Sequence, residues 1–362
     1  MITFVTKKGF EYTVREFLKS PVTEPVRDQI QVIPYFMIKE LLKHPHHAVI
    51  FADHERYSIA EKKAISAIYL FLKTRSPDLR ILNDPAKVLV RLPLLNELFR
   101  KGVNEYNSYP ISTDPNKLRF PVFIRSAYDH HGSISQFLRS EREVSAALKR
   151  LVFPYTKYSP NDLMIVEYCH TADHLGYFRK YDAYRVNENI LPSSMGKSAR
   201  WDVRAKYNLR TLERFLEHLE YIKTNPFRDQ LASIFEIAGI DYGRIDFAFS
   251  GKNLQVWEIN TNPMIEGWTH RVEYFRKTFP SEVREVWESA RNIFYTGLVA
   301  ELEKMLERKP ARIPTLPNGL VRDLQWAIVK SRIGRRTRTT ISKKFFRSQL
   351  YSPEPQFPDM DT

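Results

Sequence analysis

The segment from Arg244 to Asn260 limits the fold of this chain more than any other. Arg244-Ile245-Asp246-Phe247-Ala248-Phe249 alternates polar and apolar side chains, a turn follows at Ser250-Gly251-Lys252, and Val256-Trp257-Glu258-Ile259-Asn260 alternates again. Strict alternation is the period of a half-buried strand, so the two runs read as a hairpin. A three-residue loop at Gly251-Lys252-Asn253 sets Asp246 opposite Glu258 and Arg244 opposite Asn260. Like charges directly across a ladder destabilise it, so something positive must sit between the two acids. Two readings meet that demand. In one, Arg244 neutralises both acids on an ordinary half-exposed hairpin. In the other, Asp246, Glu258 and the Asn260 amide give hard oxygen ligands to Mg²⁺, which needs only one or two carboxylates when substrate phosphates complete its shell.

The chain around this hairpin reads as a mixed fold. In the first ~85 residues, IQVIPYF, HAVIFAD and LRILND are short apolar strands, and IAEKKAISAIYLFLK between the last two is an amphipathic helix. Ser58 is its expected N-cap, with Glu61 three residues on as in a capping box, and Ile59, Ile65, Ile68, Tyr69 and Leu72 form its apolar side. Strands alternating with helices predict a small three-stranded parallel sheet over 1–85. VLVRLPLLNELFRKG follows as a helix stopped by Gly102. A second block, 86–308, carries strands at FPVFIRS and DLMIVEYC, a pair of short strands in YFRKYDAYRVNENILP, helices around TLERFLEHLEYIK and SEVREVWESARNIFYTGLVAELEKMLER, and the hairpin. Residues 309–362 read as a Pro-rich linker and a basic tail.

Composition narrows the class. Cys169 is the only cysteine of 362 residues, which excludes an internal disulfide framework and any multi-cysteine metal cluster. No stretch approaches the ~20 apolar residues of a membrane-spanning helix, and Met1 to Phe17 lacks the pattern of a secretory signal. A cytoplasmic protein is expected. The net charge is +14, but residues 330–347 hold eight basic side chains and no acidic one. More than half of the excess therefore sits in the tail, and the body is only mildly basic.

RIDFAF followed by VWEINTNP resembles the metal-binding end of the ATP-grasp superfamily, which includes D-alanine–D-alanine ligase, glutathione synthetase and biotin carboxylase. The resemblance spans about residues 80–265. It implies an ATP-grasp fold: an N-terminal parallel α/β domain and two α+β lobes clamping ATP, with a hinge near 167–170. It also implies Asp246, Glu258 and Asn260 as ligands of Mg²⁺ (or Mn²⁺), and Arg244 as the catalytic cation on the phosphate and the intermediate. Arg125 stands where the family has a phosphate-binding lysine, a departure that keeps a cation able to bind phosphate in bidentate fashion. The loop after it, with His131 and Gly132, corresponds to the loop over the phosphates. Ile165-Val166-Glu167-Tyr168-Cys169 resembles the adenine hinge, with Glu167 and the backbone at Cys169 toward the base and Asp173 toward the ribose. Of Arg179 and Lys180, which point to opposite faces of one strand, Lys180 is the expected phosphate contact.

The implied reaction activates a substrate carboxylate as an acyl phosphate at the expense of ATP and joins it to an amine or other nucleophile. A kinase on the same scaffold, phosphorylating a small-molecule hydroxyl, is the enzymatic alternative. A different class is a protein acting on nucleic acid or a membrane surface through residues 330–347, where LQWAIVKSRIGRR sets Trp326, Ile328, Val329 and Ile333 among cations. Leu191 to Lys197, with Trp201 beyond it, reads as a polar loop able to cover an acceptor. The substrates themselves are not legible.

Overall fold

In the computed structural model, residues 1–129, 132–152, 156, 158–265 and 268–346 are described. The chain falls into two compact units. One holds residues 1–90 and 171–327, the other 91–170 and the residues from 328 on.

The first strand is one that the sequence pattern did not reveal. Ile2–Thr6 (β1) is wholly buried and lies inside a parallel sheet with Ile30–Pro34 (β2), Ala48–Phe51 (β3) and Arg80–Leu82 (β4), in the order β2-β1-β3-β4. The N-terminal sheet thus has four strands rather than three. Tyr12–Leu18 (α1) and Ile59–Arg75 (α2) accompany it. The capping box at α2 forms as expected: Ser58 Oγ accepts from Glu61 N at 3.2 Å, and Glu61 Oε2 accepts from Ser58 N at 2.8 Å. Ile65, Ile68 and Leu72 turn inward, whereas Ile59, at the first turn, is 92% exposed. Asn83, at the end of β4, has φ +65°, a conformation asparagine tolerates better than most residues.

Unit 91–170 opens with Arg91–Arg100 (α3), stopped by Gly102 at φ +72°. Ser108–Pro110 (β5), Val122–Ser126 (β6) and Leu163–Glu167 (β7) form an antiparallel sheet in the order β5-β7-β6, and Glu141–Leu151 (α4) packs Val144 into the core with Ile124 and Ile165.

From residue 171 on, Phe178–Val186 (β8) and Asn189–Ser198 (β9) lead through Leu212–Thr224 (α5) and Arg228–Ala238 (α6) to the hairpin of Tyr242–Ser250 (β10) and Asn253–Asn260 (β11). The sheet order is β11-β10-β8-β9, antiparallel throughout. Leu191 to Lys197 is therefore strand, not loop. Its Pro192 sits beside the register shift between Asp182 and Ala183, on the edge strand where a missing N–H is tolerated. Trp268–Thr278 (α7), Ser281–Leu306 (α8) and Asn318–Phe346 (α9) complete the chain. Among the described residues no helix is long and apolar enough to cross a membrane. In α9, Trp326, Val329 and Ile333 are exposed, and most side chains of 330–347 lie outside the described set.

One core joins the two stretches of the larger unit. Phe4, Phe17 and Ile50 from the N-terminal part pack with Tyr184, Tyr242 and Leu298. This places the C-terminal ends of β1 and β3 near the segment that follows β11, where Thr261 Oγ1 donates to Glu55 at 2.6 Å and Asn262 Nδ2 to Asp53 at 3.0 Å.

Candidate active site

The hairpin reaches its expected register by a different route. Ser250 pairs with Asn253, so the turn has two residues, Gly251 and Lys252, with Gly251 at φ +58°. A bulge at Trp257 then adds the residue that the shorter turn lacks, and Asp246 faces Glu258 while Arg244 faces Asn260.

Strand β8 adds a third acid. Asp246 is paired on its other side with Asp182, so Asp182, Asp246 and Glu258 form one row across three neighbouring strands. All three are buried, at 7%, 6% and 7% exposure. Such a row is unstable without cations, and two are present. Lys180 Nζ lies 2.9 Å from Asp246 Oδ2 and 3.5 Å from Asp182 Oδ1, and Arg244 Nε lies 3.0 Å from Asp246 Oδ1.

Lys180 and Arg244 act unequally on the acids of this row. Burial drives the Asp182 carboxyl upward from its ordinary range, with nearby Asp246 adding to the rise and Lys180 opposing it. Burial works the same way on Asp246, but Arg244 and Lys180 outweigh it and hold that carboxyl low. For Arg244, the pull of burial toward neutrality is overcome by Asp246 and Asp182, so it stays charged.

The donor set suits a hard divalent cation. Two facing carboxylates and an amide share one end of the sheet, and Asn260 Oδ1 is held in place by Asn262 N at 2.9 Å. Asp182 Oδ1 is buried without a hydrogen-bond partner, while its other oxygen accepts from Ser194 Oγ. The role of Asp182 was not legible in the sequence, because it depends on the pairing of β8 with β10.

The remaining expected site residues are placed as follows. Lys180 does face the acids. Arg179 turns away to Asp173 at 2.5 Å and to Glu217. Asp173 is thereby engaged by Arg179, and its Oδ1 accepts from Leu175 N and Tyr177 N, both at 2.9 Å. These contacts overcome the effect of burial and bring its pKa down to about 2. In the other unit, Arg125 lies on β6 opposite Met164, and Gly132 takes φ +83°. His131 lies outside the described residues. The Glu167 carboxylate is buried and accepts from Tyr109 Oη at 2.8 Å, Asn107 N at 2.9 Å and Arg119 Nη2 at 2.6 Å. Its side chain is thus committed within its own unit. Cys169 is half-buried and in no disulfide.

The chain is similar in path to ATP-grasp ligases. D-alanine–D-alanine ligase from Bacillus anthracis is 9% identical, with 85% of this chain and 99% of that one covered at a TM-score of 0.44. The ATP-grasp ligase PsnB is 12% identical, with 85% and 98% covered at 0.48. N5-carboxyaminoimidazole synthase from Aspergillus clavatus is 10% identical, with 75% and 72% covered at 0.46. No family model and no curated protein matches the sequence. The likeness is one of chain path, and the chemistry is argued from this chain's own side chains.

Proposed function

We propose that this protein is an ATP-dependent ligase of the ATP-grasp type, which activates a substrate carboxylate as an acyl phosphate and passes the acyl group to an amine or related nucleophile. The observation that carries the reading is the row of Asp182, Asp246 and Glu258 with Asn260 at its end, crossed by Lys180 and Arg244. Transfer of a phosphoryl group asks for positioning and charge neutralisation rather than a protein nucleophile. Asp246, Glu258 and Asn260 would hold Mg²⁺, which when bound supplies positive charge to the phosphates. Lys180 and Arg244, already fixed by Asp246, would steady the oxygens of the transferring group from the protein side.

The reading is tested by measuring ADP release from the full chain with ATP and Mg²⁺ over a panel of amino acids, small carboxylic acids and amines, with mass spectrometry of the product. An amide or related acyl product formed with ADP and phosphate supports it. A phosphate ester as the sole product would replace ligation by phosphorylation of a hydroxyl.

A further inference from the structure

A cavity of about 680 Å³ opens within the larger unit, bounded by β8, β9, α5, α7, α8 and the segment between β9 and α5. Lys180, Asp182 and Arg244 belong to its wall, so it adjoins the carboxylate row directly. Its charge is lopsided. Besides Lys180 and Arg244, the wall carries Arg204 (paired with Asp202 at 3.2 Å), Lys206, Arg210, Arg214 and Arg291, against Asp182 as the single carboxylate among the described residues.

Aromatic rings support several of these cations. The Arg214 guanidinium lies 4.2 Å from the Phe215 ring centre, Arg291 lies 5.1 Å from Trp287, and Arg210 lies 5.7 Å from Phe279. Among the described residues Lys206 and Arg210 make no ion pair, and both are exposed at the rim. Phe275 stacks on Trp287 at 4.3 Å to form an apolar wall.

The deep end has another character. His218 is 7% exposed, its Nδ1 has no hydrogen-bond partner, and Nε2 lies 3.4 Å from the Ser193 carbonyl. With Nε2 directed to that carbonyl, Nδ1 is an acceptor. Asp182 Oδ1, 3.5 Å from Lys180 Nζ, and Asn208 Oδ1 are further buried acceptors in the same wall that take no hydrogen bond. Cations lining a cleft of low dielectric concentrate anions, an aromatic wall takes a planar or apolar body, and buried acceptors that take no hydrogen bond call for N–H or O–H donors.

We infer that this cavity holds the second substrate of the ligase, and that this substrate is a compact polyanion with a planar or apolar body, its carboxylates or phosphates at the arginine-rich rim and its amine or hydroxyl toward Asp182 and His218. The inference rests on the proposed ligase reading for the word substrate, and on the cavity alone for the class of ligand.

The test uses benzene-1,3,5-tricarboxylate and benzoate as probes, with calorimetric titration of the full chain in the presence and absence of ATP and Mg²⁺. The tricarboxylate should bind at least tenfold more tightly than benzoate, and should do so together with the nucleotide. The double variant Lys206→Glu/Arg210→Glu, at the exposed rim, should weaken it at least tenfold while the apo melting temperature stays within a degree or two of wild type. Equal affinity for the two probes, no binding of either, displacement by the nucleotide, or unchanged affinity in the double variant would overturn the inference. Heating the same samples with ATP and Mg²⁺ keeps the two readings apart. A nucleotide response without tricarboxylate binding sinks only the inference about the cavity, and tricarboxylate binding without a nucleotide response sinks only the ligase reading.

Discussion

At Asn83 one side chain joins two parts of the larger unit. Its Oδ1 accepts from Asp241 N at 2.8 Å and Tyr242 N at 2.9 Å, and its Nδ2 donates to Phe51 O at 3.0 Å and Tyr242 O at 2.9 Å. All four bonds are lost in Asn83→Ala, and alanine must also adopt φ +65°. Each buried group left without a partner costs roughly 1–3 kcal/mol, so the variant should lose at least about 3 kcal/mol in urea unfolding. A loss below about 1 kcal/mol would mean that water or neighbouring groups replace the amide. The sequence showed Asn83 only as part of a strand-ending turn. Alternation separated Lys180 from Arg179, and the family resemblance made Lys180 the expected phosphate contact, but nothing marked Asp182 as a third acid, since alternation within β8 cannot tell which strand lies beside it.

Elements were legible where local chemistry decides them. The Ser58–Glu61 box fixes the start of α2 within one turn, and the structure reproduces it. Glu61 does more than cap, because Lys7 Nζ pairs with it at 3.0 Å and the acid is 3% exposed. Ser58→Ala should therefore cost about 1 kcal/mol, as caps commonly do, and Glu61→Ala should cost more, about 2–3 kcal/mol, because it also removes the charged partner of a partly buried lysine. Chemical denaturation of the two variants checks the order, and equal losses would confine Glu61 to capping. Where the pattern failed, tertiary context had overridden it. Pro192, Ser193, Ser194 and Gly196 are turn formers, yet pairing with β8 makes them an edge strand. Ile2 to Thr6 is too short for its periodicity to stand out, yet it becomes the inner strand of a parallel sheet. In the hairpin, the assumed three-residue loop and the observed two-residue turn with a bulge lead to the same pairing of Asp246 with Glu258.

For the molecule as a whole, acid sensitivity follows from its buried histidines. Burial brings His46, His54 and His218 down to about 4. A histidine whose folded pKa lies below its unfolded value contributes stability that is present above pH 6.5 and lost as pH falls toward 4. At pH 5 the loss is roughly 2 kcal/mol for each. Asp53 opposes this: burial raises it to about 6 against the pull of Arg56, and its protonation below that pH returns roughly 1 kcal/mol. The melting temperature should fall clearly between pH 7 and pH 5, and a flat or rising profile would contradict the assignment of neutral histidines. The cavity, by contrast, was invisible in the sequence, because its wall is drawn from β8, β9, α5, α7 and α8 together.

Glu258 and its neighbours are proposed as a metal site rather than a salt-bridge cluster, and Glu258→Gln separates the two readings. The change keeps side-chain volume while removing one charge from a row of three neighbouring acids. A ligand bound only to the folded state raises the melting temperature by mass action, so the response to ATP reports the site without knowledge of the acceptor. Melting temperatures of wild type and Glu258→Gln are measured alone, with ATP and EDTA, and with ATP and Mg²⁺. The account predicts that the variant alone melts at or above wild type, that ATP with Mg²⁺ stabilises wild type more than ATP with EDTA does, and that the variant loses this metal-dependent increment. An apo melting temperature well below wild type, with the metal-dependent increment retained, would contradict it.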